Sequence, residues 1–272
     1  MQAMTGTKLY HRGLYTPGAA LIQPAAYVRA LTGLLATRAQ LFENSPVIEF
    51  EQRTGGWLLN TPKGQVQADR VVLAVNGHLQ SFWFLPSRLL HVFTYASMTE
   101  PLSADQLIRL GGAGDWGMLP ADPMGTTVRK FSDYQGAGDR IVIRNHATLN
   151  QSIETSPSDM KRAAKLQQIS FDARFPMLKD VRFEHRWGGR LCLSLNSTHA
   201  FGEIAPGLFS ACCQNGLGTA KGMLAGKLIA DMMTLGSDAD GVSDFLALPE
   251  PSRLPPQPFL SIGARLTMRY KE

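Results

Sequence analysis

The sequence predicts a mixed α+β and α/β fold, in which an incomplete parallel-sheet domain carries an inserted domain built on an antiparallel sheet. Apolar runs at residues 71–75 and 207–213 each end in a glycine-containing turn, as buried strands of a parallel sheet do. From about residue 88 to residue 190, longer and partly alternating strands accompany one helix, which is typical of an antiparallel α+β layer. A chain of 272 residues allows one or two such domains.

The first part of the chain combines signals for a helix and for short strands. β-Branched and aromatic residues at 10–22 are broken by glycine and proline, which predicts a hairpin. A helix is predicted to begin at Pro24, because proline suits the first helical turn and apolar residues then recur on one face. Three short strands follow, at 47–50, 56–61 and 65–68. They lead into the valine-rich strand at 71–75, which we predict to be buried on both faces.

The remaining elements follow from periodicity and turn residues. We predict strands of the antiparallel layer at 89–98, 140–144 and 181–186. A helix at 158–171 carries apolar residues at helical spacing. The strand at 207–213 leads through a turn with two glycines into a helix at 219–235. Five prolines after Leu248 predict an extended tail.

Composition and charge exclude several classes of function. The formal charge is +5, but the basic residues are scattered, so we expect no nucleic-acid partner. No apolar run reaches the ~20 residues that cross a bilayer, and no signal peptide is recognised, so we expect no membrane span. Three cysteines form neither a disulfide framework nor a spaced metal site, which favours a reducing, cytoplasmic setting.

Two glycine turns that follow strands are candidate ligand sites. The turn at 215–218 precedes a helix, whose free amides and positive dipole end favour phosphate or developing negative charge. The turn at 74–77 ends a strand, and ligands of open α/β sheets lie beyond the carboxyl ends of strands. On local grounds alone, an ordinary tight turn explains each pattern better than a binding site does.

Basic and aromatic residues in the second half offer further candidates. The segment 186–192 joins Trp187, two glycines and the two arginines Arg186 and Arg190, which suits a pocket in which arginine binds an anionic substrate. A surface arginine beside a bulged strand explains the pattern equally well. The six histidines lack metal-ligand spacing, and a structural role explains each single histidine better than acid–base chemistry does.

Several of these segments together resemble the FAD-dependent amine and amino-acid oxidoreductases of the D-amino-acid oxidase superfamily, on the side of glycine/sarcosine oxidase and γ-glutamylputrescine oxidase. The resemblance lies in residues 18–28, 68–78, 187–189 and 216–219, in the family's order. It implies an FAD cofactor and a small amine or amino-acid substrate. The reaction it implies is hydride transfer from an amine carbon to flavin N5, followed by hydrolysis of the imine.

The resemblance also implies roles for individual residues. Cofactor contacts are expected at Val47, Ala74, Asn76, Gly77, Gly216, Leu217, Gly218 and Thr219. His91 and Tyr95 lie four apart on a strand of the substrate layer and should face the same side, with Trp187 and Arg190 closing the other side. Some sarcosine oxidases attach FAD through a cysteine in a similar strand, so Cys192 is either such an attachment point or a buried structural thiol.

The chain departs from the family in one large respect. Family members open with a βαβ unit whose Gly-x-Gly-x-x-Gly turn holds the FAD pyrophosphate, and this chain does not open with one. We therefore expect a partner chain or a missing N-terminal segment to supply the FAD pyrophosphate site. The expected domains are an FAD-binding domain at 23–84 plus 191–272 and a substrate domain at 1–22 plus 85–190. The alternative is a catalytically inactive truncated remnant, or an interaction subunit of a split flavoenzyme.

Overall fold

A computed structural model describes residues 1–122, 124–133 and 135–271, apart from the side chains of Arg265 and residues 268–271. It divides into two compact units. The antiparallel unit comprises Met1–Leu21, His91–Leu191 and Pro255–Glu272. The parallel-strand unit comprises Ile22–Leu90 and Cys192–Leu254. The segment after residue 254 therefore groups with the antiparallel unit, whereas the sequence prediction placed it in the other domain.

The antiparallel unit is built on a five-stranded sheet with the strand order β6-β7-β8-β5-β9. Its strands are β5 (Leu90–Thr99), β6 (Trp116–Met118), β7 (Thr127–Phe131), β8 (Arg140–Leu149) and β9 (Phe183–Leu193). Its helices are α1 (Gln2–Thr5), α3 (Ala104–Leu110), α4 (Pro157–Arg174) and α7 (Phe259–Lys271). The pairings of β6 with β7, β7 with β8 and β5 with β8 are antiparallel, as predicted for this layer.

Helix α4 covers one face of this sheet. Ser156 and Asp159 form a reciprocal capping box at its start, which satisfies amides that the first helical turn leaves free. Phe171 on α4 is fully buried with Ile141 and Ile143 of β8 in the main hydrophobic cluster of the unit. The sheet and α4 therefore share one core, and a change in that core should destabilise the whole unit.

The parallel-strand unit contains two small sheets. One is a meander of β1 (Glu49–Arg53), β2 (Gly56–Thr61) and β3 (Gly64–Ala68). The other has the order β10-β11-β4 and contains β4 (Val71–Leu73), β10 (Ala200–Ala205) and β11 (Leu208–Cys212). Strands β4 and β11 are parallel, whereas β10 and β11 form an antiparallel hairpin. The helices of the unit are α2 (Pro24–Leu35), α5 (Gly218–Leu235) and α6 (Val242–Leu246).

Buried side chains join the two small sheets into one core. Trp57 of β2 is buried with Leu73 of β4 and Leu208 of β11. Its indole N–H also donates a hydrogen bond of 3.0 Å to the carbonyl of Pro206, in the turn between β10 and β11. Trp57 therefore packs the meander against the β4–β11 pair, and its buried N–H donor is satisfied by the hydrogen bond.

Three sequence predictions about local structure are wrong. Residues 10–22 form no hairpin, because no strand covers them. The strand predicted at 71–75 is not buried on both faces, since β4 is an edge strand of its sheet and Val72 is 39% exposed. The proline-rich tail is not extended throughout, because its prolines end at Pro258 and helix α7 begins at the next residue.

We expect Phe171→Ala to destabilise the antiparallel unit by about 3–5 kcal/mol, because it leaves a cavity in the place of a fully buried ring. Ile169→Ala is the matched control, since that side chain lies two residues earlier on α4 and is 56% exposed. Urea unfolding followed by circular dichroism measures both. Equal losses of stability in the two variants would contradict the described packing of α4.

Candidate functional site

The two strand-end turns predicted from sequence meet in the parallel-strand unit. Because β4 and β11 are parallel and Val71 is in register with Leu208, their carboxyl ends lie at the same edge of the sheet. Asn76 follows β4 and Cys213 follows β11, and the Cys213 N–H donates a 3.1 Å hydrogen bond to Asn76 Oδ1. Both residues have left-handed backbone angles, with φ of 49° and 59°. One side-chain hydrogen bond therefore joins the two turns.

The Asn215 side chain fixes the second turn. Its Oδ1 accepts from the Ser194 N–H at 2.9 Å, and its Nδ2 donates to the Thr198 carbonyl at 2.8 Å. The residue has φ of 51°, a left-handed conformation that asparagine tolerates better than most side chains do. Gly216 continues the turn with φ of 79°. These hydrogen bonds to the segment between β9 and β10 fix the direction in which the chain enters α5.

The N-terminus of α5 is open. No side chain caps it, and Gly218, Thr219 and Ala220 are exposed. An added Cβ at Gly218 would meet no atom within 4 Å. Free amides at a helix start carry the positive end of the helix dipole, so this end of α5 favours a group with negative charge.

A cavity of about 400 Å³ lies between α5 and the ends of β4 and β11. Its lining includes Val72, Ala74, Asn76, Gln214, Gly222 and Gly226. Glycines recur at every fourth residue of α5, at 218, 222 and 226, so they share one face of the helix. This spacing is visible in the sequence but was not used in the sequence prediction. It leaves space for a ligand in the cavity to approach the helix backbone closely.

The structure distributes the predicted cofactor residues unevenly. Ala74 and Asn76 line the cavity, whereas Gly77 is buried in a short 3-10 helix. Gly216, Leu217, Gly218 and Thr219 are exposed at the start of α5. Val47 is half-buried and precedes β1, so the strand predicted at 47–50 begins two residues later, at Glu49. The hydrogen bonds that join the two turns do not involve Val47.

His91 and Tyr95 are buried, which argues against direct contact with a substrate. They are 5% and 1% exposed, and Tyr95 packs with Ala163 of α4. The Tyr95 hydroxyl is hydrogen-bonded to the hydroxyls of Thr148 and Thr155, at 2.7 and 2.8 Å. The predicted shared side is consistent with the alternating burial of β5, but that side faces α4. Both residues therefore lie outside the proposed site.

Trp187 and Arg190 are exposed on β9. Between them, an added Cβ at Gly188 would lie 3.3 Å from Tyr95 Cε1, so a side chain here would have to displace the Tyr95 ring slightly. Because side chains alternate along a strand, Trp187 points away from Tyr95. The four predicted catalytic residues are thus a buried pair and an exposed pair.

Cys192 is a poor candidate for attachment of a flavin. It is 2% exposed, and a hydrogen bond to the Cys213 thiol together with burial raises the pKa of Cys192. The same hydrogen bond lowers the pKa of Cys213, which is itself fully buried. Since the thiolate is the reactive form, a neutral, buried Cys192 favours the structural role.

One Gly-x-Gly-x-x-Gly string does occur, at residues 112–117. It links α3 to the short strand β6 and does not open a helix. An added Cβ at Gly112 would lie 2.7 Å from the Met4 carbonyl oxygen, so this glycine serves local packing. The string lacks the strand–turn–helix setting that a pyrophosphate turn needs.

Parallel strands whose following turns meet at an open helix start are typical of α/β proteins that bind a nucleotide cofactor beyond the strand ends. A family model described as FAD dependent oxidoreductase matches residues 2–232. The chain belongs to this family of FAD-dependent oxidoreductases, and its cofactor class is FAD.

Curated relatives are similar to most of this chain, and this chain covers only part of their length. A probable oxidoreductase, OrdL, of Haemophilus influenzae is 28% identical over 91% of this chain and 54% of its own length. Gamma-glutamylputrescine oxidoreductase of Escherichia coli is 27% identical over 83% of this chain and 51% of its own length. The chain thus spans about half the length of these curated relatives.

The predicted fold class is confirmed by solved structures. Glycine oxidase from Geobacillus kaustophilus superposes with a TM-score of 0.58 and 18% identity, covering 76% of this chain and 52% of that protein. Within the described ranges, no helix is long and apolar enough to cross a membrane. The same residues contain no group of three or more His, Cys, Asp or Glu side chains placed to hold a metal ion.

We expect the three cysteine thiols to resist iodoacetamide in the native chain at pH 8 and to react fully in urea, because all three are buried. Intact-mass spectrometry counts the modified thiols. The lowered pKa of Cys213 would by itself favour alkylation of this thiol, whereas burial prevents it. The experiment therefore shows which of the two effects controls the reactivity of Cys213. Rapid native modification of Cys192 would contradict its structural role.

Proposed function

We propose that this chain forms the flavin-facing turns and the substrate layer of an FAD-dependent oxidoreductase that oxidises a primary or secondary amine or an amino acid. The observation that carries the proposal is the open start of α5 beside the joined turns at Asn76 and Cys213. The turns at Asn76 and at the start of α5 would hold the flavin, which would supply hydride-acceptor chemistry for oxidation of the amine carbon to an imine.

The residues at the start of α5 suit the pyrimidine edge of a flavin. Reduced flavin carries negative charge on that edge, and the exposed amides of Gly218, Thr219 and Ala220 can stabilise it. The open space at Gly218 allows a planar ring to approach the backbone. Asn76 and Asn215 hold the two turns in place, so the amides are preorganised before the cofactor binds.

The remainder of the FAD site is proposed to come from another segment. Strand β4 is at the end of its sheet in the described part of the chain, with Val72 exposed on it. Helix α2 buries none of its side chains, and its apolar Val28, Leu34 and Leu35 are exposed. An unpaired strand edge and an uncovered apolar helix face suit the docking of further structure. We propose that an N-terminal segment of a longer protein, or a partner chain, pairs here and supplies the FAD pyrophosphate site.

The substrate class is proposed from the family and from the named relatives. Gamma-glutamylputrescine oxidoreductase and glycine oxidase act, by their names, on an amine and on an amino acid. A small amine or amino acid is therefore the proposed substrate of this chain. A cytoplasmic location stays a prediction, as does the alternative that the chain is an inactive remnant or an interaction subunit.

We expect the protein, in the longest polypeptide that its gene encodes, to retain FAD, with visible absorbance bands that bleach when an amine substrate is added. Gly218→Val should weaken FAD binding at least tenfold, because its side chain enters the open space at the helix start. Gly64→Val is the matched control, since that glycine also has open space around it and lies in β3.

Fluorescence titration with FAD gives both affinities. Absence of flavin binding by the unaltered protein, even after excess FAD is added, would overturn the enzyme proposal and favour the non-catalytic alternative. Equal affinities in the two variants would overturn the assignment of the α5 start.

A further inference from the structure

Two of the three buried thiols in the parallel-strand unit are in contact with each other. The Cys192 thiol, near the end of β9, donates a hydrogen bond to the sulfur of Cys213, which follows β11. Cys213 Sγ also lies 4.0 Å from the Cys192 carbonyl oxygen. Both side chains are buried and both thiols are free. Two thiols in contact are the arrangement from which an intramolecular disulfide can form.

The surroundings of Cys213 favour its thiolate form. The hydrogen bond from Cys192 lowers the pKa of Cys213, against the opposing effect of burial. The Ser194 hydroxyl, the Asn215 N–H and the positive charge of Lys221 act in the same direction as that hydrogen bond. The same contact raises the pKa of Cys192, which therefore keeps its proton. The pair thus combines a thiol that can react as a thiolate with a neutral thiol beside it, as in cysteine pairs that respond to oxidants.

The third thiol differs from this pair, although it belongs to the residue directly before Cys213. Cys212 is fully buried, and its Sγ donates a 3.1 Å hydrogen bond to the Leu73 carbonyl of β4. Burial raises the pKa of the Cys212 thiol. Since this thiol is bonded to a backbone carbonyl and stays protonated, Cys212 is a matched internal control for the pair.

A cavity beside Cys213 offers a route for a small oxidant. Asn76 and Gln214 both line the cavity of about 400 Å³ between α5 and the strand ends. Gln214 is the residue after Cys213, and Asn76 accepts the hydrogen bond from the Cys213 N–H. Hydrogen peroxide is only slightly larger than water and needs a narrower path to the thiol than iodoacetamide does. A brief local opening of the turn is therefore enough for peroxide to reach Cys213.

We propose that Cys192 and Cys213 form a redox-sensitive pair, which hydrogen peroxide converts into a disulfide between the end of β9 and the turn after β11. Cys213 loses its proton and its sulfur attacks a peroxide oxygen. The O–O bond breaks, which leaves a sulfenic acid and a hydroxide that takes up the proton as water. The Cys192 sulfur then attacks the Cys213 sulfur, the S–O bond breaks, and the hydroxyl leaves with the Cys192 proton as a second water. The two thiols together lose two electrons, which reduce the peroxide.

The disulfide would displace the turn that leads into α5. An S–S bond is about 2.05 Å long, much shorter than a hydrogen bond between two thiols, so Cys213 has to move towards Cys192. The Cys213 N–H donates to Asn76 Oδ1, and its carbonyl accepts a 3.2 Å hydrogen bond from Asn215 Nδ2. Because these asparagines hold the candidate cofactor turns, the movement would weaken FAD binding. This consequence rests on the proposed function, whereas formation of the disulfide does not.

Counting thiols tests whether the disulfide forms. The reduced chain, freed of reductant, is treated with hydrogen peroxide in the native state, and its remaining thiols are labelled with iodoacetamide in urea. We expect three labels on the untreated chain, one on the oxidised chain, and three again after dithiothreitol. Cys212→Ala is the matched control, because it should lose both of its remaining labels on oxidation.

Proteolysis after Glu203 locates the disulfide, since this cut separates Cys192 from the other two cysteines. In oxidised Cys212→Ala, the fragments that carry Cys192 and Cys213 should stay joined until dithiothreitol is added. Three labels after peroxide treatment, or separate fragments, would overturn the proposal. Loss of thiols to sulfinic acid, or a disulfide between two chains, would overturn it as well.

A separate titration tests the effect on the cofactor. In the longest polypeptide that the gene encodes, peroxide should weaken FAD binding at least threefold, and dithiothreitol should restore it. Cys192→Ala removes the resolving thiol, so its FAD affinity should not respond to peroxide. A response that persists in Cys192→Ala, or equal affinities of the oxidised and reduced protein, would overturn the effect on FAD. The thiol count uses no flavin, so failure of the FAD proposal leaves that result interpretable.

Discussion

The parallel pairing of β4 with β11 is the constraint on which the candidate cofactor site depends. It brings the carboxyl ends of two strands, distant in sequence, to one edge of a sheet. The Asn76–Cys213 hydrogen bond can form only because of that pairing, and it lies where both turns leave the sheet. Polar side chains at these turns satisfy backbone groups that the strands no longer pair, so the turns keep one shape at the start of α5.

The two faces of the sheet in the antiparallel unit carry different kinds of side chain. One face is closed by α4, where Phe171 and its neighbours form a dry core and Tyr95 keeps its hydroxyl paired. The opposite face carries Arg144 and Arg129, whose charges repel each other. The core beneath α4 supplies the stability that allows the sheet to carry these charged side chains.

The sequence predicted element types well and burial poorly. Apolar periodicity located α4 and α5 within a few residues, and glycine turns located both strand ends. Period-two alternation groups His91 with Tyr95 on one side of β5, but alternation cannot say which face of a sheet a distant helix will cover. Val72 was expected to be buried because its valine-rich strand resembles a central one, and strand order depends on pairings that local sequence does not encode.

The glycine spacing of α5 has a consequence for how its first turns behave. Each glycine in a helix interior destabilises it by about 1 kcal/mol relative to alanine, and Gly222 and Gly226 both lie in the first half of α5. The end of the helix that faces the turns is therefore its least stable part, whereas Leu228 and Ile229 anchor the buried half. Unfolding of these first turns and binding of a ligand to them are therefore opposing equilibria, because the ligand binds only the folded helix start. A ligand at this end would act as a helix cap supplied from outside the chain, and would slow amide exchange along the glycine face.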